Sequence, residues 1–200
     1  MDVKPVTLEG RHVRLVPLSM SEHLEGLAAA GAEPRLWRYS PTAATGLEGM
    51  RAYLQEALDA QAAGAALVFT TIDKASGRIA GSSRYAAIDR KNKRLEIGWT
   101  WIDPAFQRTH VNTEAKLLML QHAFEVLGCM RVEFKTDQLN TQSQTALARL
   151  GAVQEGTFRK HMIMPDGRIR HSIYFSILDE EWPAVKARLL TRLDQGGHKD

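Results

Sequence analysis

LEIGWTWIDPAFQRTHVNTEAKLLMLQHAFEVLG, residues 95–128, carries two periodicities in immediate succession. Leu95, Ile97 and Trp99 alternate with Glu96, Gly98 and Thr100, the period of two expected of a strand with unlike faces. Asp103-Pro104 stops that strand, because proline has no amide hydrogen and restricts the residue before it. A loop over 105–111 follows. Asn112 or Thr113 is then read as the N-cap of a helix whose apolar stripe, Leu117, Leu120, Phe124 and Leu127, ends at Gly128. Arg131–Asp137 returns to alternation, and Asn140 caps a short helix that stops at Gly151. Strand, helix, strand, helix is the organising unit of the chain.

Working outward, the flanks read as antiparallel additions to this unit. Residues 66–72, 78–88 and 94–102 are strands joined by short turns at 74–77 and 89–93, a meander. Before them, Val13, Leu15 and Pro17 mark a first strand from Arg11, and helical spacing over 19–30 and 47–63 gives two helices. The segment between those helices holds Trp37, Arg38 and Tyr39. On the other side, strands at 152–162 and 169–177 flank Pro165-Asp166-Gly167, where glycine accepts the positive φ of a tight turn. Asp179 is expected to open a last helix, with Glu180 and Glu181 at its positive end and Arg188 and Arg192 at its negative end. Residues 195–200 read as a frayed tail. The expected fold class is α+β, a mixed, mostly antiparallel sheet of about seven strands with helices on both faces.

Composition narrows the function classes. With 200 residues, 44% hydrophobic and 24% charged, the chain reads as one globular domain over 1–200. No apolar run approaches the ~20 residues of a membrane-spanning helix, and the amino terminus lacks the basic-then-apolar order of a secretory signal. A cytoplasmic location is expected, in keeping with the single cysteine, Cys129, which reads as a small buried residue. The net charge is only +3, so nucleic acid is not the expected partner, and Arg90, Lys91, Lys93 and Arg94 read as a solvated hairpin tip. His161 and His171 can face each other across the last hairpin but lack a third ligand, so no metal is expected. No Gly-x-Ser-x-Gly elbow and no intact P-loop occurs.

The loop Gln107-Arg108-Thr109-His110-Val111-Asn112-Thr113 enters a helix amino terminus, where free amide hydrogens and a partial positive charge suit an anion such as a diphosphate. Glu96 falls on the strand face shared by Gly98 and Thr100, where small residues leave room for a substrate. A partly buried carboxylate there is suited to accept a proton.

These segments, in this order and spacing, resemble the GNAT superfamily of acetyltransferases, in the branch that includes the ribosomal-protein alanine acetyltransferases. Leu8-Glu9-Gly10 with Val13 to Leu18 is similar to that branch's opening strand, and Glu96-Ile97-Gly98-Trp99 to its fourth. Asn112-Thr113-Glu114-Ala115 is similar to the start of its central helix. Asn140-Thr141-Gln142-Ser143, Leu150-Gly151-Ala152 and Glu155-Gly156 are similar to the elements that follow. The resemblance implies acetyl coenzyme A as co-substrate and a primary amine as acceptor. Its diphosphate loop would be residues 107–113, where Gln107 meets the family pattern while His110 and Asn112 stand at its glycine and small-residue positions. It implies further that the strand end at Thr100, Trp101 and Ile102 splays from its neighbour to pair with the pantetheine arm, and that Asn140 hydrogen bonds the same arm. Glu96 would be the base, with Glu155 an alternative, and Ser143 the acid, with Tyr174 a second donor. Trp37, Tyr39 and the final hairpin with Tyr174 would line the acceptor pocket. The competing readings are a protein of this fold that binds the cofactor without transfer, and one associating with nucleic acid or the ribosome through the basic hairpin. A homo-oligomer is compatible with all of these.

Overall fold

The computed structural model describes residues 1–195. In chain order it contains β1 (Leu8–Glu9), β2 (Val13–Pro17), α1 (Met20–Ala30), α2 (Gly46–Ala62), β3 (Leu67–Asp73), β4 (Ile79–Asp89) and β5 (Arg94–Ile102). There follow α3 (His110–Gln121), β6 (Arg131–Asp137), α4 (Thr141–Leu150), β7 (Val153–Ile163), β8 (Ile169–Leu178) and α5 (Trp182–Asp194). The strands form one eight-stranded sheet in the order β1-β2-β3-β4-β5-β6-β8-β7. Every pairing is antiparallel except β5 with β6. The sheet exceeds the expected seven strands by β1, whose two residues pair with Leu15 and Arg14 and are too short to show a period.

Helices cover both faces, because each face of the sheet presents its own apolar set. On one side Leu15, Phe69, Tyr85 and Ile97 join Leu117 and Leu120 of α3, Leu147 of α4 and Leu189 of α5. On the other, Val68 and Trp101 join Leu27 of α1 and Met50 and Leu54 of α2. Tyr85 is fully buried, and its hydroxyl donates to the Met119 carbonyl at 2.6 Å, the partner a buried phenol requires.

Several boundaries differ from the expectation for local reasons. Thr109 is the N-cap of α3, accepting from the Val111 amide, so the helix starts ahead of Asn112 and Thr113, which lie within its first turn. The helix passes into a π-turn over His122–Val126 before Gly128, at φ +66°, ends it. α5 begins at Trp182, not Asp179; Asp179 and Glu180 stay in the turn, while Glu181 Oε2 accepts from the Leu178 amide. Asn140 caps α4 as expected, its Oδ1 accepting from the Ser143 amide at 3.0 Å. The expected frayed tail lies outside the described residues from 196 onward.

The correction that matters most for the site is in β5. Gly98 pairs with Arg84 but Trp101 pairs with Ser82, so β5 carries one residue more than β4 between those points, and Trp99 has φ +49°. That β-bulge reverses the side-chain parity of the strand. Trp99 and Trp101 pack on the α1/α2 side, whereas Thr100 turns to the α3 side to bond Ser83 and Lys116. Glu96 shares its face with Gly98 and not with Thr100.

Candidate active site

The cleft arises from a change of partners. β5 and β6 pair over only three positions, Arg94 with Arg131, Leu95 with Val132 and Glu96 with Glu133. β5 then continues to Ile102 beside β4, and β6 to Asp137 beside β8. The backbone of Ile97–Ile102 on its β6 side is left without a strand partner. The two strands run parallel, so α3 and α4, which follow them, both start at the end where they part. Crevices beyond the carboxyl ends of parallel strands are the usual ligand sites of such sheets.

The loop into α3 is held by its own side chains. Asp103 Oδ1 accepts from the Ala105 amide at 2.8 Å, and Gln107 Nε2 donates to the Ile102 carbonyl at 3.0 Å. Thr109 Oγ1 donates to the Phe106 carbonyl at 2.7 Å. Arg108 sits at φ +60°, a left-handed conformation uncommon outside glycine. The side chains of Gln107 and Thr109 therefore build the loop, with the Gln107 amide donating to the Pro104 carbonyl and the Val111 amide to Thr109 Oγ1. His110 is half-buried; its Nε2 lies 3.6 Å from Asp73 Oδ1 and its ring is 4.4 Å from that of His12. Asp73 is held below the usual carboxylate range, chiefly by hydrogen bonds from Ser76 and further by His110. Asn112 Oδ1 is sealed from solvent without a hydrogen-bond partner, an unsatisfied acceptor in the first turn of α3. On these observations, an unpaired strand edge beside the amino terminus of α3, the residues fit a nucleotide-bearing thioester.

Glu96 is 3% exposed. Burial raises its pKa above the usual carboxylate value, opposed in part by Lys135, whose Nζ stands 2.7 Å from Oε2. The ion pair is close but lies off the hydrogen-bonding direction, and Oε2 has no hydrogen-bond donor. Gly98 keeps this place open: a Cβ there would come within 2.8 Å of Glu96 Oε1. Lys135 also lies 5.3 Å from the ring centre of Tyr174, whose hydroxyl is 3.4 Å from His161 Nε2. The last hairpin thus reaches Glu96 through Lys135.

Other expected residues are placed differently. Glu155 is tied to Arg131 and Ser176, and those hydrogen bonds, Arg131 first, hold it below the usual carboxylate range. Trp37 is buried against Tyr53 and Trp101, and its indole N–H donates to the Gly31 carbonyl. Tyr39 meets the hairpin through its carbonyl, which accepts from Arg170. Ser143 is half-buried in the first turn of α4. His161 bonds Ser172 and His171 accepts from the Lys160 amide, so each is engaged separately. Among the described residues no group of three metal-ligating side chains converges, and no helix is long and apolar enough to cross a membrane.

Sequence reading missed four charged residues that shape the site. Glu114, in α3, accepts from the amides of Arg11, His12 and Val13 at 2.7–2.8 Å and moors the amino-terminal hairpin to the helix. Lys116 is buried beneath β5, its Nζ 2.6 Å from Thr100 Oγ1, and burial lowers its pKa to about 7. Lys135 and Arg84 occupy strand positions on the polar side of an alternating pattern, where exposure was the default. The available signal was in α3, where a glutamate and a lysine flank the apolar stripe at Leu117.

Comparison with known proteins agrees with this geometry. Residues 12–153 match the family described as the acetyltransferase (GNAT) domain. A GCN5-related N-acetyltransferase from Brucella melitensis superposes with a TM-score of 0.90 at 35% identity, covering 96% of this chain and 86% of that one. YdaF of Bacillus subtilis (strain 168), named as a ribosomal N-acetyltransferase, is 29% identical over 110 residues, 55% of this chain and 59% of that protein's length. Mycobacterium smegmatis RimJ, in a structure with CoA-disulfide, shares the fold with a TM-score of 0.77 at 20% identity, covering 90% of this chain and 88% of that one. The expectation drawn from the short motifs along the sequence is met: the chain belongs to the GNAT acetyltransferase family.

Proposed function

We propose that this N-acetyltransferase moves the acetyl group of acetyl coenzyme A to a primary amine at the cleft between β5 and β6, with Glu96 as base and Ser143 as acid. When bound, acetyl coenzyme A supplies an activated acyl carbon as a thioester. The backbone of Thr100, Trp101 and Ile102 is the free strand edge for its extended arm. The loop of residues 107–113 and the amino terminus of α3 receive its diphosphate, with Arg108 adding charge. Asn140 stands at the start of α4 to hold the arm from the other side.

Glu96 carries the reading, because it is a buried carboxylate with a raised pKa, balanced by the Lys135 ammonium and with a gap at Gly98 beside it. Its task is to take a proton from the incoming amine, directly or through water. Lys135 keeps enough carboxylate ionised to act. The Ser143 hydroxyl, in the first turn of α4, returns a proton to the departing thiolate. Tyr39 and Tyr174 border the acceptor side; Trp37 supports it from within the core.

Release of coenzyme A thiol from acetyl coenzyme A in the presence of an amine panel tests the reading, beside calorimetric binding of acetyl coenzyme A. Glu96→Gln is expected to bind the cofactor as wild type does and to lose turnover. Saturable binding without thiol release from any amine would instead favour a binding protein of this fold.

A further inference from the structure

We propose that the acceptor is a primary amine carrying a carboxylate a few bonds away, and that Arg84 receives that carboxylate. The inference rests on the acetyl-transfer reading for the amine half of the molecule and on Arg84 alone for the acidic half.

Arg84 lies on β4, directly opposite Gly98, and is 3% exposed. Its guanidinium is a permanent cation. The guanidinium carbon lies 4.8 Å from the ring centre of Trp99 and 5.2 Å from that of Tyr53, over an aromatic ring from each of β5 and α2. Trp37 packs edge-on against Tyr53 at 5.4 Å and supports that ring. The edge of the guanidinium is another matter. Its Nε–H is sealed from solvent with no acceptor. Among the described residues no carboxylate forms an ion pair with it and no hydrogen bond reaches Nη1 or Nη2.

The other buried cations differ on this point. Arg170 donates to Ser172 and to the Tyr39 carbonyl, and Lys116 to Thr100. Cation–π contact attracts the faces of a guanidinium but does nothing for its five in-plane N–H groups. A buried Nε–H without an acceptor is costly to maintain, the two Nη groups are not sealed from solvent and so stay reachable, and an in-plane donor fork is the shape that a carboxylate meets with two parallel bonds.

Its position specifies the rest. Glu96 and Arg84 are diagonal neighbours on one sheet face, about 7 Å apart by the usual cross-strand spacing, and the residue that would separate them is Gly98, which has no side chain. An ammonium drawn to Glu96 and a carboxylate drawn to Arg84 are the two ends of an amino-acid-like molecule. Lys135 and Arg170 add positive charge to the same face, whereas Glu133 and Asp137 are matched by Arg94, Arg131 and Arg168.

Binding of acetylated products tests this without relying on turnover. In the presence of coenzyme A, the full chain is titrated with a series of N-acetyl amino acids and with their neutral carboxamides, by calorimetry and by Trp99-dependent fluorescence. The expected result is at least tenfold tighter binding of the carboxylate member of one or more pairs, lost in Arg84→Met and partly kept in Arg84→Lys, which retains charge but not the planar fork. Equal binding of both members throughout the series, or a preference that survives in Arg84→Met, overturns the proposal. Should Arg84→Met not fold, the wild-type pairs and Arg84→Lys still decide. Carboxylate-selective binding without coenzyme A release from acetyl coenzyme A and any amine would sink the transfer reading and leave the Arg84 site standing.

Discussion

Lys135 Nζ lies 2.7 Å from Glu96 Oε2, across β5 and β6 at the position where the two strands cease to pair. Burial raises the Glu96 pKa and Lys135 opposes that rise. A base works only when ionised, so kcat/KM should climb with pH through a Glu96 pKa above the usual carboxylate range, and Lys135→Met should move that acidic limb to still higher pH. Glu96→Gln should abolish the limb and cut kcat by about a hundredfold or more. A full pH–rate profile of the three proteins checks both; an unmoved limb in Lys135→Met would remove Glu96 as its source.

Lys116 predicts a pH dependence of stability. Its folded pKa is about 7 because burial disfavours the ammonium, while an unfolded lysine titrates near ~10.4. Between these values the unfolded chain binds more protons. Stability from this group is therefore full above the unfolded value and is lost as pH falls toward 7. Lys116→Met should be more stable than wild type at pH 6 by roughly 4–5 kcal/mol, less the lost bond to Thr100, with the gap closing toward pH 10. Urea midpoints at three pH values measure it.

Glu114 predicts a cost that does not depend on substrate. Its carboxylate accepts three backbone amides from the turn between β1 and β2. Glu114→Ala strands those donors and should destabilise by about 3–5 kcal/mol, lowering Tm by about 10 °C in a chain of this size. Glu114→Gln should fall between. Hydrogen exchange is expected to rise first at Arg11, His12 and Val13.

The loop predicts an insensitive position and a sensitive one. His110 packs with Asp73 and His12, so His110→Gly should leave acetyl coenzyme A affinity within about threefold while costing roughly 1 kcal/mol of stability. Asn140→Ala removes the α4 cap and should cost about 1 kcal/mol of stability together with cofactor affinity. Calorimetric titration of both variants separates them; a large gain in affinity in His110→Gly would show that its side chain crowds the cofactor.

Much of the architecture was legible because it depends on local pattern. β5 and β6 were read to the residue, since alternation and Asp103-Pro104 act within a few positions. Asn140 and Gly151 bounded α4 through cap chemistry that also acts locally. The α3 cap was misplaced by three or four residues because Thr109, Asn112 and Thr113 are all competent caps, and Thr109 is the one whose hydroxyl is tied to the preceding turn through the Phe106 carbonyl.

By itself the sequence determined the strand and helix order, the mixed sheet and the acetyltransferase family, because periodicity, turn chemistry and ordered short motifs are properties of neighbours along the chain. Tertiary structure alone decided which charges are buried and what they meet. The bulge at Trp99 reversed the strand parity and sent Thr100 to Lys116. Register across β4, β5 and β6 set Glu96 against Lys135 and Arg84 opposite Gly98. These pairings join residues distant in sequence, and their energies depend on desolvation, which exists only once the sheet and its helices have closed over them.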